Sequence, residues 1–178
     1  MAARTARKKS AAGAPFKLTS PDIRPNGPIA MEQVFNGFGC SGENISPALG
    51  WSGAPEATKS LALLVHDPDA PTGGAGWWHW LVINIPAGTT QLRKDAGKAD
   101  GSKLPFGCVH IDTDFGGPGW GGPCPPAGDK PHRYNFTLYA LKVDGLDASG
   151  ASASLAGYMI NANAIGQAKL TGKFGRKK

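Results

Sequence analysis

Long apolar runs are missing from this 178-residue chain. No window of about eighteen apolar residues exists, which argues against a membrane-spanning helix, and the basic N-terminus lacks the apolar stretch that a secretory signal needs. A cytoplasmic location is expected on those grounds. Cysteine is scarce too: Cys40, Cys108 and Cys124 are odd in number and without CxxC spacing. Neither a disulfide framework nor a structural zinc site is expected from them, and the thiols read as buried or idle. Acidic residues are absent from both ends. Residues 1–17 carry Arg4, Arg7, Lys8, Lys9 and Lys17, residues 169–178 carry Lys169, Lys173, Arg176, Lys177 and Lys178, and the body between them has a net charge of −4. The pI of about 9.3 therefore belongs to the termini. Those termini read as solvated, with weak nonspecific contact to anionic lipid or nucleic acid as their reach.

Glycine and proline are what the chain has in quantity, 41 of 178 residues. They separate short runs rich in Val, Ile, Leu and aromatics, a pattern of antiparallel β-structure with tight turns. Strands are expected at Ser60 to Val65, Trp80 to Ile85 and Arg133 to Leu141. In the third, side chains alternate, so Tyr134, Phe136, Leu138 and Ala140 share one face with His132, and Asn135, Thr137 and Tyr139 take the other. Near the C-terminus the apolar period changes to three or four through Leu155, Tyr158, Met159, Ala162, Gly166 and Lys169, with Ser152 or Ser154 as N-cap. The expected fold is all-β with minor α: residues 1–15 as a disordered basic tail, then one antiparallel β-sandwich domain over 16–176 with a C-terminal helix.

Chemistry-bearing residues gather at strand ends. Asp67 lies just past the first strand and His79 opens the second, with the stiff Pro/Gly turn Pro68 to Gly76 between them. His132 and Tyr134 begin the third strand, directly after Gly121-Gly122-Pro123-Cys124-Pro125-Pro126-Ala127-Gly128. If these strand ends are neighbours, they line one small cavity suited to an oxyanion, with imidazole and phenol donors and a carboxylate to orient a ring. Protonation of the histidines below about pH 6 to 7 is expected to favour an anion there. Other chemistries lack their signatures. His66, His79, His110 and His132 show no HExxH or comparable metal-ligand spacing, no GxSxG elbow is present, and Cys124 is flanked by Pro123 and Pro125 with no basic environment, so packing is its expected role. Trp51, Trp78, Trp80 and Trp120 read as packing residues.

Asp67-Pro68-Asp69-Ala70-Pro71, Trp77-Trp78-His79-Trp80, Gly122-Pro123-Cys124-Pro125-Pro126 and His132-Arg133-Tyr134 together resemble the phosphatidylethanolamine-binding protein family, and within it the bacterial Raf-kinase-inhibitor-like branch. The likeness runs over about residues 16 to 176. It implies an antiparallel β-sandwich with Greek-key connections and, at one end, a pocket that takes phosphate, acetate or phospholipid head groups. Carried over by motif, the ligand-binding residues are Asp67, Trp77 as an aromatic wall, His79, the loop residues Gly122, Cys124 and Pro125, and His132 with Tyr134. Two positions depart from the pattern: Cys124 stands where many eukaryotic members have glycine, and Trp120 where bacterial relatives often have tyrosine. The function expected is a non-catalytic binder of a phosphate-bearing small molecule, with no metal and no cofactor. The alternative is a regulatory protein that binds a kinase or protease through the pocket side, with a hydrolase ranked last; a homodimer is compatible with the resemblance.

Overall fold

Apolar alternation, interrupted by Pro/Gly turns, builds ten strands and one helix among the described residues. In chain order they are β1 (Lys17–Thr19), β2 (Asn36–Gly37), β3 (Cys40–Ser41), β4 (Leu49–Ser52), β5 (Ser60–Asp67), β6 (Trp77–Pro86), β7 (Gln91–Leu92), β8 (Val109–Ile111), β9 (His132–Leu141), α1 (Ala153–Asn163) and β10 (Ala164–Phe174). The computed structural model describes residues 14–148 and 150–178. The expected basic tail lies outside the described residues except for Ala14 and Pro15.

A five-stranded sheet in the order β10-β9-β5-β6-β8 faces a three-stranded sheet, β1-β4-β7, and β2-β3 form a separate hairpin. Every pairing between these strands is antiparallel. Between the sheets lies the larger core, with Leu61, Leu63, Val65, Trp80, Val82, Tyr134, Phe136 and Leu138 from one sheet against Leu18, Leu49, Trp51 and Leu92 from the other. The outer face of the large sheet presents Ala62, Leu64, Leu81 and Ile83 to Ala156 and Ile160 of α1. With apolar contacts on both faces, β5 and β6 read as nearly continuous hydrophobic runs, and each fully buried Leu, Ile or Val contributes about 1.5–3 kcal/mol.

The helix is shorter than its sequence period suggested. Ser152 is the N-cap, its hydroxyl accepting from the Leu155 N–H at 3.2 Å. At Ala164 the backbone turns extended, and the rest of the chain becomes the edge strand β10, with Ala168 and Leu170 in the sandwich core. Gly166 and Lys169, expected on the helix, are strand residues. The alternation Ala168, Leu170, Gly172, Phe174 is a period of two that competes with the helical spacing, and the pairing of ten residues of β10 with β9 decides the contest.

The expectation for the cysteines is also overturned. Cys40 and Cys124 form a disulfide across a sequence separation of 84, with Cα atoms 6.0 Å apart, and Cys108 is the free thiol. Sequence spacing carried no sign of it, because the hairpin β2-β3 and the Gly/Pro loop meet only once the sandwich is closed. Arg176 reinforces the junction, donating from Nε to the Pro125 carbonyl at 2.7 Å and from Nη1 to that of Gly39 at 2.9 Å. Protein purified without reductant and then denatured is expected to titrate one thiol, rising to three after reduction. Cys40→Ser is expected to lower unfolding free energy by about 2–5 kcal/mol in denaturant melts.

Candidate functional site

The antiparallel pairing of β5 with β6 sets Asp67 opposite Trp77, His66 opposite Trp78 and Val65 opposite Trp80, so His79 is an extra residue in β6. This is a β-bulge, a device that re-aims a side chain. Its effect here is specific. Trp80 enters the sandwich core while its neighbour His79 also turns inward, beneath the end of the sheet. The turn 68–76 that makes the pairing possible is held by the Thr72 hydroxyl, which donates to the Gly76 carbonyl at 3.0 Å. Gly76 has φ +72°, and a Cβ on it would strike the His66 ring and the Asp67 carbonyl.

These strand ends surround a cavity of about 310 Å³, at the small end of the roughly 300–1,000 Å³ typical of ligand sites. Asp67, Trp77, His79, His132 and Tyr134 all line it, as do Cys124 and Pro125. Gly122 does not. Its N–H is taken by the Asn44 carboxamide oxygen at 2.8 Å. Its missing side chain makes room for the backbone of Gln33 and Phe35. Gly122 therefore shapes the loop from behind and offers no donor to a ligand.

Asp67 and His132 form the buried hinge of the site. Nδ1 of His132 hydrogen-bonds Oδ2 of Asp67 at 2.7 Å with both side chains about 5% exposed or less, and Oδ1 accepts the Asp69 N–H at 2.8 Å. On the solvent side Asp69 repeats the clamp, accepting from the Arg133 backbone N–H, Nε and Nη2 at 2.7–2.9 Å. Those bonds hold its carboxyl down at about 2. Asp69 thus docks the start of β9 on the turn; the motif contained it, but nothing in the one-dimensional pattern distinguished its role from that of Asp67.

His79 has its tautomer set by the backbone. Nδ1 lies 2.6 Å from the Gly121 carbonyl, which can only accept, so Nδ1 carries the proton of the neutral ring. Burial pushes the imidazole down to about 4, against the opposing pull of the Gly121 carbonyl and Asp67. At neutral pH it is uncharged, contrary to the expectation of a group titrating near pH 6 to 7. Tyr134 and Phe115 pack edge-on against the ring at centroid distances of 5.1 and 5.3 Å. Phe115 also meets Trp77, Phe35 and Phe38. Phe115 and Phe38 are wall residues that sequence reading missed, since they come from loops with no periodic signal.

Among the described residues three buried side-chain polar atoms lack a hydrogen-bond partner: Gln33 Oε1, Trp77 Nε1 and Tyr134 Oη. Two of them belong to residues of this cavity, and both are donors. Burial and the acids Asp67 and Asp69 raise the Tyr134 phenol, keeping its proton in place. The remaining histidines are elsewhere: His66 bonds the Ala75 carbonyl and packs on Trp78, and His110 accepts from Trp80 Nε1. No three metal-ligating side chains cluster among the described residues. Trp51, Trp80 and Trp120 are buried, as packing roles require, and Trp78 packs against the outer core.

Fold and cavity define an antiparallel β-sandwich with a small-ligand site at one end. Residues 19–175 match the family profile described as phosphatidylethanolamine-binding protein. The chain is 54% identical to the UPF0098 protein YbcL of Escherichia coli over 91% of its own length and 88% of that protein's, and 42% identical to YbhB of the same organism over 89% and 99%. A crystal structure of E. coli YbcL, titled a new member of the mammalian PEBP family, superposes with a TM-score of 0.89 at 52% identity, covering 92% of this chain and all of that one. A PEBP homologue from Chlamydia trachomatis, CT736, gives 0.77 at 31% identity over 92% and 99%. The chain belongs to the phosphatidylethanolamine-binding protein family.

The depressed His79 has a consequence for stability. The unfolded ring takes up its proton near pH 6.5, the folded one only near pH 4, so between these values the unfolded state binds more protons. Stability from this group is complete above about pH 6.5 and declines by about 3 kcal/mol as the pH falls to about 4. His79→Gln is expected to remove that share of the decline when urea melts of the two proteins are compared across the window.

Proposed function

We propose that the protein is a non-catalytic binder of a phosphate-bearing small molecule or head group, held in the Asp67–His79–His132–Tyr134 cavity. The observation that carries this reading is the pair of buried donors without partners, Tyr134 Oη and Trp77 Nε1, on two residues that line one cavity. An unpaired buried donor costs about 1–3 kcal/mol. A ligand oxygen that reaches either donor relieves its cost, which favours an oxyanion over an apolar guest. The non-catalytic part of the reading is supported by the sulfur chemistry: Cys124, the thiol beside the pocket, is held in the disulfide, and Cys108 stands outside the cavity with its thiol pushed up to about 11 by burial.

The disulfide also favours an oxidising compartment over the cytoplasm, because cytosolic thiol pools reduce such bonds. A protein partner remains the second reading, and one observation favours it: Phe38 is 70% exposed at the cavity rim, an aromatic offered to a contacting surface.

Tyr134→Phe separates ligand binding from folding. It deletes an unsatisfied hydroxyl, so unfolding free energy without ligand is expected to stay level or rise by up to about 1 kcal/mol. Binding of O-phosphorylethanolamine, followed by NMR titration, is expected to weaken about tenfold, the equivalent of one lost hydrogen bond. His132→Ala is expected to abolish it. Unchanged affinity in both variants would sink the proposal.

A further inference from the structure

The central strands carry a second hollow, back to back with the first. Consecutive side chains of a strand take opposite faces of the sheet. Asp67, Trp77 and Tyr134 line the strand-end cavity, while their chain neighbours His66, Trp78 and Asn135 line a groove of about 270 Å³ on the outer face. The strand register makes the groove a ladder of neighbours. His66 is paired with Trp78 on one side and Asn135 on the other, and a second rung sets Leu64 beside Thr137 and Thr137 beside Lys169. The helix α1 covers the outer face at Ala62, Leu64, Leu81 and Ile83, and it contains no acid and no base. The polar rungs begin where that apolar layer ends.

The lining combines an aromatic wall with hydrogen-bonding groups that have nothing to bond. Thr137 is only 7% exposed, and among the described residues its hydroxyl has no hydrogen-bond partner. Asn135 Oδ1 accepts from the Thr171 hydroxyl at 2.9 Å, and its amide nitrogen is left as a donor without a partner among the described residues. His66 is fixed by the Ala75 carbonyl, 2.9 Å from Nε2, with its ring centroid 4.2 Å from that of Trp78. A broad indole beside hydroxyl and amide groups suits a ring that is apolar on its face and polyhydroxylated at its edge.

Charge narrows the choice. Lys169 is the only lysine or arginine in the lining, and it forms no ion pair among the described residues. Lys173, four residues further along β10 and so on the same face, forms none either. The acids tied to this face are engaged: Asp69 holds Arg133, and Asp114 accepts the Trp78 N–H at 2.7 Å. An uncompensated ammonium at one end of the groove calls for an anionic group on the ligand.

We propose that the outer-face groove is a saccharide site selective for acidic sugars: the C–H face of a uronic acid ring lies against Trp78, its hydroxyls bond Thr137 and Asn135, and its carboxylate pairs with Lys169. An aromatic acid offers the carboxylate and nothing for Thr137 or Asn135. A neutral hexose offers the hydroxyls and nothing for Lys169. The site lies on the other side of the sheet from the strand-end cavity and does not depend on what that cavity binds.

NMR titration at fixed ionic strength with D-glucuronate, D-glucose and benzoate tests this, read at the Trp78 indole N–H and the Asn135 side-chain amide. Glucuronate is expected to bind in the millimolar range and to shift both resonances, with glucose and benzoate each about tenfold weaker. Lys169→Gln is expected to weaken glucuronate about tenfold and to leave glucose unchanged. Thr137→Val, which removes the unpartnered hydroxyl, is expected to weaken glucuronate and glucose alike, about fivefold, without lowering the melting temperature. Benzoate binding as tightly as glucuronate overturns the saccharide assignment, and an unchanged glucuronate affinity in Lys169→Gln overturns the role of its carboxylate. Shifts confined to His79 and Tyr134, or no shift of the Trp78 indole at about 100 mM glucuronate, a hundred times a millimolar dissociation constant, overturn the site altogether.

Discussion

The hydrogen bond between Asp67 and His132 is the constraint around which the rest of the site is arranged. It joins the last residue of one central strand to the first residue of its neighbour, at 2.7 Å and almost wholly out of water. Taking a carboxylate into such a place costs several kcal/mol unless its lone pairs are satisfied, and here Oδ2 has the imidazole and Oδ1 has the Asp69 N–H. The Pro/Gly turn delivers that N–H. Asp69 then ties the same two segments together from outside through Arg133, so the inner pair is held by an outer one that tolerates solvent.

From that hinge the cavity acquires its polarity. The bulge at His79 and the Gly121 carbonyl orient a neutral imidazole, Phe115 and Tyr134 wedge it on two sides, and the Cys40–Cys124 disulfide fastens the loop that closes the opposite wall. The result is an apolar chamber with a few hydrogen-bonding groups and, among the described residues, no lysine or arginine in its lining. Hydrogen bonds among such groups are stronger in a desolvated site than in water.

Much of this was legible in one dimension. The three central strands and the inward face of Tyr134, Phe136 and Leu138 follow from alternation and from Pro/Gly turns placed where chains must reverse, whereas the convergence of Asp67, His79, His132 and Tyr134 was conditional on strand neighbours that the pairing of β5 with β6 and β9 supplies. Other parts were not. The helix ends at Asn163 because β10 gains a full ladder on β9, a nonlocal reward that local periodicity does not register. Gly122 was expected to serve the ligand, yet its N–H belongs to Asn44, a residue 78 positions earlier. Cys40 and Cys124 carried no spacing signature, since their meeting is made by the closure of the sandwich.

What the sequence by itself determined is that the three central strands form, which of their faces are apolar, and which reactive side chains stand at their ends, because these depend on neighbours along the chain. What only the tertiary structure decided is the ionisation and partnering of those side chains: His79 held neutral, Asp67 paired, Tyr134 and Trp77 left with protons to donate, and Cys124 oxidised. Desolvation and nonlocal hydrogen bonds set such properties, and both come into being only when distant segments pack.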